Sequence, residues 1–137
     1  MDSRTCVNKI GSYQKWFIGS VIRDILSANT EIAEMVGENI YPLIAPEKTE
    51  GDFILYTRAG YQKSWTKMGV VEDDCRIIIT AIADDYDNAV LLAALIDNTL
   101  TGYHSNDDGV KFTANLVDST EIFEDNKYIE TLTFAIK

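Results

Sequence analysis

Ile40-Tyr41-Pro42-Leu43-Ile44-Ala45-Pro46, an acidic loop, and then Phe53-Ile54-Leu55-Tyr56 form the stretch that decides the fold. Both prolines of the 137-residue chain lie in it, four positions apart. A proline fixes its own φ, lacks an amide donor and pushes its predecessor out of the helical region, so Tyr41 and Ala45 are extended. Upstream, Ile32, Ala33 and Val36 recur at helical spacing, and Gly37 is placed to end that helix with a positive φ. Downstream, residues 53–59 are aromatic and branched, bounded by Gly51-Asp52 and Gly60, which reads as a strand. The chain therefore leaves a helix at Gly37, crosses in an open, partly apolar connection and enters a sheet at Phe53. No catalytic motif has this layout.

Working outward, residues 12–26 read as a helix, with Ile18, Val21, Ile22 and Ile25 at i, i+3, i+4 and i+7. Ser27-Ala28-Asn29 breaks it, and Thr30 is placed to cap the short helix that Glu31 and Glu34 favour. Residues 74–83 carry the clearest strand signal: Cys75, Ile77, Ile79 and Ala81 alternate with Arg76, Ile78, Thr80 and Ile82. Both faces are apolar in its middle, which predicts a central strand covered on each side by helices or by another subunit. Asp84, Asp85 and Asp87 open a further helix whose inner face is Ala89, Leu92, Ala93, Ile96 and Leu100, ending at Gly102. Strands follow at 110–117 and 128–136. The reading is an α+β domain in which two main helices pack on one face of a roughly four-stranded, mostly antiparallel sheet. Its order is α-β-β-α-β-β, with a long arm between the first two strands.

Length and composition suit one folded unit, residues 1–137, with 1–11 as a possible flexible extension. Hydrophobic residues at 46% and charged residues at 25% fit a packed protein rather than a disordered one. A net charge of −10 opposes phosphate backbones, so no direct nucleic-acid binding is expected. Cys6 and Cys75 form no motif and read as reduced thiols, although a bridge between them stays open. Residues 1–10 hold no signal-peptide core, and the longest strongly apolar stretch, 89–96, is too short for a membrane span. These features predict no membrane partner and a cytoplasmic protein, or one in a particle assembled there.

Candidate chemistry is sparse. His104 is the single histidine, so neither a two-histidine metal site nor a histidine-rich triad can form, and its neighbours Ser105 and Asp107 read as a solvated turn. Asp84, Asp85 and Asp87 lack the glycine and bidentate glutamate of a calcium loop, since Val90 and Ile96 stand at those places; helix capping accounts for them better. Asp107-Asp108-Gly109 is a turn signal, and Asp73-Asp74 guards a strand end. A glycosidase-type carboxylate pair stays open, because an acidic chain offers many pairs and nothing singles one out. No phosphate-cradling glycine loop and no Cys-x-x-Cys is present. Catalytic residues, cofactors and metals are all expected to be absent.

One charge anomaly remains. Residues 53–71 contain no acid but hold Arg58, Lys63 and Lys67, a segment at +3 in a chain at −10. Tyr61, Trp65 and Met68 accompany them, in a connection of about a dozen residues between two strands. Connections of that length are uncommon without a job. Aromatics with Lys, Arg and Met suit an interface centre, so Arg58, Tyr61, Lys63, Trp65, Lys67 and Met68 are the candidate interface residues. A basic aromatic arm and an acidic body are complementary, as a heterologous self-contact requires.

The order of these patterns resembles the bacteriophage tail-completion, or tail terminator, proteins. Their outline has a helix ending in Val-Gly, then Ile-Tyr-Pro, a linker with Ala-Pro, and a first strand. Val36-Gly37, Ile40-Tyr41-Pro42, Ala45-Pro46 and Phe53-Ile54-Leu55-Tyr56 reproduce it. An apolar strand followed by a helix opening in acids and alanines matches residues 77–94. The closing hairpin matches Leu116-Val117-Asp118, Ile122-Phe123-Glu124-Asp125 and residues 128–134. The likeness spans about residues 18–136, although the first strand lacks the proline that often precedes it in that family. It implies a non-enzymatic subunit that forms a ring, hexameric when assembled, capping the head-proximal end of a tail tube. The implied partners are other copies of the chain, the tail tube protein and the head–tail connector. The implied location is the bacterial cytoplasm during assembly and then the neck end of the virion tail. Another neck or head-completion protein is the near alternative; a small acidic α+β enzyme or ligand-binding domain is the distant one.

Overall fold

A computed structural model of the chain describes residues 16–46, 51–66, 69–101 and 113–136. Its elements run α1 (Ile18–Ala28), α2 (Thr30–Val36), β1 (Ile40–Pro42), β2 (Phe53–Thr66), β3 (Gly69–Ala83), α3 (Tyr86–Leu100), β4 (Ala114–Glu124) and β5 (Lys127–Ile136). One five-stranded sheet has the order β1-β2-β3-β5-β4. All its pairs are antiparallel except β1 with β2. The α+β class and the central place of β3 agree with the sequence.

The short strand β1 was not expected. It comprises Ile40, Tyr41 and Pro42 beside Ile54, Leu55 and Tyr56. A proline is tolerated there because β1 is an edge. The extension forced on Tyr41 thus becomes a fifth strand instead of an open connection. Tyr41 is half-buried and its hydroxyl donates to Asn39 Oδ1 at 2.7 Å.

Helix ends follow local chemistry. Gly37 closes α2 at φ 62°, ψ −124°, a conformation for which a side chain is unsuited. The cap of α2 is Asn29, one residue before the Thr30 expected from sequence. Its Oδ1 accepts from the amides of Glu31 and Ile32 at 2.9 and 3.1 Å. Its Nδ2 donates to Thr99 Oγ1 on α3 at 2.8 Å, so one side chain joins the corner between α1 and α2 to the third helix. Asp85 stands at the N-cap of α3 without a side-chain capping bond, while Asp84 pairs with Lys127. The acids thus complement the helix end by position and charge, not by the expected cap.

Packing is one-sided. Ile18, Ile22, Leu26, Ile32 and Val36 from the first two helices meet Leu92, Ile96 and Leu100 from α3. Beneath them lie Ile54, Ile77, Ile79, Leu132 and Phe134 of the sheet. Ile79 and Ile96 are fully buried in this cluster, and Cys75 belongs to it too. Gly19 lets α1 sit on the sheet: a Cβ there would lie 2.9 Å from the Tyr56 ring. On the opposite face Leu55, Thr80, Thr131 and Thr120 form one cross-strand row, and Phe53, Ile82, Ile129 and Ile122 another. Among the described residues no helix covers that face, so helices cover β3 on one side.

Asp125 and Asn126, at φ 54° and 63°, make the tight two-residue link between β4 and β5. Two positive φ values are what a type I′ hairpin needs, and Asp and Asn tolerate them. Ile122, Phe123 and Glu124, which fall between the strands expected at 110–117 and 128–136, are the end of β4. Val110, Phe112, Cys6, His104 and the Asp107-Asp108-Gly109 turn lie outside the described residues.

Candidate functional site

The arm between the first two long strands is a ribbon rather than a loop. β2 continues to Thr66 and β3 starts at Gly69, and their ladder runs unbroken in direction to the pair Thr66↔Gly69. Register shifts fall between Arg58 and Gly60 and between Ser64 and Trp65. β5 accompanies β3 only from Cys75 onward, so the five-residue run of β2 from Gln62 to Thr66 has no third strand beyond β3 among the described residues. At about 3.3 Å per residue this two-stranded part reaches roughly 17 Å past the body of the sheet.

The register changes the charge picture. Lys63 stands across from Asp73, Ser64 from Glu72 and Gln62 from Asp74. The acid-free strand is therefore paired with an acidic return strand, in which Lys63 directly faces Asp73 while Arg58 faces Ile77. Tyr61, Lys63 and Trp65 are strand residues of the arm, while Lys67 and Met68, at its tip, lie outside the described residues. Arg58 is the root of the arm rather than part of its reach. Its guanidinium lies 4.2 Å from the centroid of the Trp16 ring, and its Nη1 donates to the Trp16 carbonyl at 3.3 Å.

A second surface, not singled out from sequence, lies at the other side of the sheet. Tyr86, Glu121, Ile122, Phe123, Tyr128 and Glu130 line an open cleft of about 200 Å³. Tyr128 meets the Tyr86 ring edge-on at 5.6 Å and the Phe123 ring at 4.7 Å. Glu121 and Glu130 are direct cross-strand partners. Tyr86 donates its hydroxyl to both Glu121 oxygens at 3.2 Å. Burial first, then the hydrogen bond with Glu121 and the Glu121 charge, push the Glu130 carboxyl up to about 7. Its Oε2 is shut from solvent without a hydrogen-bond partner. The bond to Glu121 also holds the Tyr86 hydroxyl above its usual range. The pair was legible in principle: a two-residue turn at Asp125-Asn126 sets position 121 against position 130.

No family model and no curated protein matches the chain. A solved structure does. A chain of the "Virion of native gene transfer agent (GTA) particle" superposes with a TM-score of 0.71 at 16% identity, covering 87% of this chain and 92% of that one. At that identity the likeness is one of fold. Because it takes in most of both chains, it concerns the whole helix–sheet arrangement rather than one motif.

Among the described residues no group of three or more His, Cys, Asp or Glu is placed to hold a metal, and no helix is long and apolar enough to cross a membrane.

Proposed function

We propose that this chain is a non-enzymatic structural subunit of a phage-like particle, forming a ring that caps the head-proximal end of the tail tube. Capping would stop tube polymerisation and present the surface that the connector meets. The observation that carries this reading is the near whole-chain fold likeness to a chain of a gene transfer agent virion. The ordered resemblance of residues 18–136 to tail-completion proteins narrows it to the tube end.

The arm is the part proposed to reach a neighbouring copy or the tube protein, through Tyr61, Lys63, Trp65, Lys67 and Met68. Particles assembled without this chain are expected to carry tubes of uncontrolled length or tails without heads, seen by electron microscopy. Normal tails lacking only the connector joint would favour a neck protein instead. Lys63→Glu with Lys67→Glu is expected to abolish capping, since like charges across a subunit boundary cost several kcal/mol. Normal, head-joined tails with that double variant would remove the arm from the account.

A further inference from the structure

The cleft at the end of the sheet remote from the arm has two layers, set by the hairpin register. Glu121 stands directly across from Glu130, and Phe123 from Tyr128. Positions two apart on a strand share a face, so the carboxyls and the rings look the same way. That face is the one beneath the helices, because Leu132 and Phe134 continue it into the core. Tyr86, the first residue of α3, adds a third ring and ties its hydroxyl to Glu121. β4 is the last strand of the sheet, so the cleft is open along its outer side. Tyr86 and Phe123 stay 44% and 58% exposed there.

Rings and carboxyls in one hollow are the chemistry of cation recognition. An aromatic face attracts a cation held within about 6 Å of its centroid. Two carboxyls set directly across a ladder repel each other once both are ionised. Here a proton relieves the repulsion: burial and then Glu121 push the Glu130 carboxyl up to about 7, and Glu130 Oε2 has no hydrogen-bond donor. A positive group seated between the carboxyls would do the same work and supply that donor. Shape narrows the choice. A calcium or magnesium ion seeks a shell of oxygens, whereas rings form much of this wall. A guanidinium is planar, carries five donors in a fork that matches carboxylates, and stacks on aromatic faces.

Size and charge say what carries that group. Pockets for drug-sized molecules run to about 300–1,000 Å³, and this cleft of about 200 Å³ suits a single side chain. The described cations of this chain are engaged elsewhere: Arg23 with Asp24, Arg76 with Asp74, Lys127 with Asp84, and Arg58 on the Trp16 ring. Lys127 precedes Tyr128 and so alternates onto the opposite face, towards Asp84. A chain of net charge −10 also draws a basic partner rather than a second acidic copy.

We infer that the cleft is a docking site for an arginine side chain of a basic partner protein, its guanidinium between Glu121 and Glu130 and against the rings of Tyr86, Phe123 and Tyr128. Nothing in this depends on the tube. Docking is coupled to protons, since the guanidinium replaces the one held by the carboxyl pair. Among the described residues the groups that face Glu130 are Glu121 from β4, Tyr86 with the nearby Asp87 charge from α3, and the apolar Ala81 from β3. The titratable ones are acids or a phenol, so each opposes full ionisation of the pair until a cation arrives.

The test is nuclear magnetic resonance of the full chain titrated at pH 8 with a blocked pentapeptide holding one arginine among alanines. The ring protons of Tyr86, Phe123 and Tyr128 are expected to shift saturably, and not to shift when glutamine replaces the arginine. Glu121→Gln is expected to weaken binding about tenfold or more, as loss of a charged hydrogen-bond partner does. Phe123→Leu, which removes a ring, should weaken it about threefold. Both positions are exposed, and circular dichroism checks that the variants fold. Wild-type affinity should fall about tenfold from pH 8 to pH 6, and the weaker binding of Glu130→Gln should show no such fall. Shifts that never saturate, equal shifts with the glutamine peptide, or wild-type affinity in Glu121→Gln overturn the inference. So does a chain that dimerises in sedimentation and is returned to monomer by Glu121→Gln, since the occupant would then be a second copy. No tube is present in these titrations. Tubes left uncapped while the arginine peptide binds would sink the capping role and leave this site standing, and capped tubes with no peptide binding would do the reverse.

Discussion

The two faces of the sheet share the same strands and have opposite fates. On one face Ile77, Ile79, Leu132 and Phe134 are at most 3% exposed beneath three helices. On the other, Leu55, Ile78, Thr80, Thr131 and Thr133 remain half-buried with no described helix above them. Aliphatic side chains build the covered face, and threonines interleave the open one. Sheet residues that alternate in this way place the packed core on one side. Function, in this account, lives at the rim, in the arm.

The sharpest way to break that contrast is to truncate neighbouring residues on opposite faces. Ile79→Ala is expected to cost about 2–5 kcal/mol, as large-to-small core changes do. Thr80→Ala, one position along, is expected to cost under about 1 kcal/mol. Urea unfolding of both variants measures the difference. Equal losses would mean that the second face is covered too.

A smaller effect probes how the helix layer is held above the covered face. Asn29 caps α2 and bonds Thr99 on α3. Asn29→Ala is expected to cost about 1–2 kcal/mol, the range of a lost cap. Asn29→Asp keeps the cap oxygen but not the donor to Thr99, so it separates the two contributions by the same unfolding measurement.

The smallest effect sits at the rim. Glu130 titrates at about 7 in the fold, above the ordinary glutamate value of 4.5. The fold therefore favours its protonated form. That contribution is fully present below the ordinary value and is lost as pH rises through about 7. Wild type is expected to melt at a lower temperature at pH 8 than at pH 5. Glu130→Gln, neutral throughout, should shrink that difference. An unchanged pH dependence would show that the Glu121–Glu130 contact carries no proton linkage.

Much of this was legible in the sequence because it rests on periodicity. The stripes of α1 and α3 and the alternation of β3 name the buried residues directly. What escaped has physical reasons. β1 is three residues long and contains a proline, and it pairs in parallel with the next strand, so neither its length nor a hairpin turn marks it. The Asp125-Asn126 turn lacks the glycine that usually signals a two-residue hairpin, which hid both the length of β4 and the Glu121–Glu130 pair. The arm was marked by its charge and aromatics as a place of interest, but it reads as a loop because Gly60 interrupts the strand pattern. The ladder passes Gly60 through a register shift. Its acidic return strand, Glu72, Asp73 and Asp74, shows that a charge run is interpretable only once its cross-strand partner is known.

The central claim is that this chain recognises the end of a tail tube. The direct measurement is electron microscopy of preformed tubes mixed with gold-labelled chain. The account predicts label at one end of each tube and no further growth from that end when tube protein is added. Label along the tube walls, or continued growth from labelled ends, would contradict it.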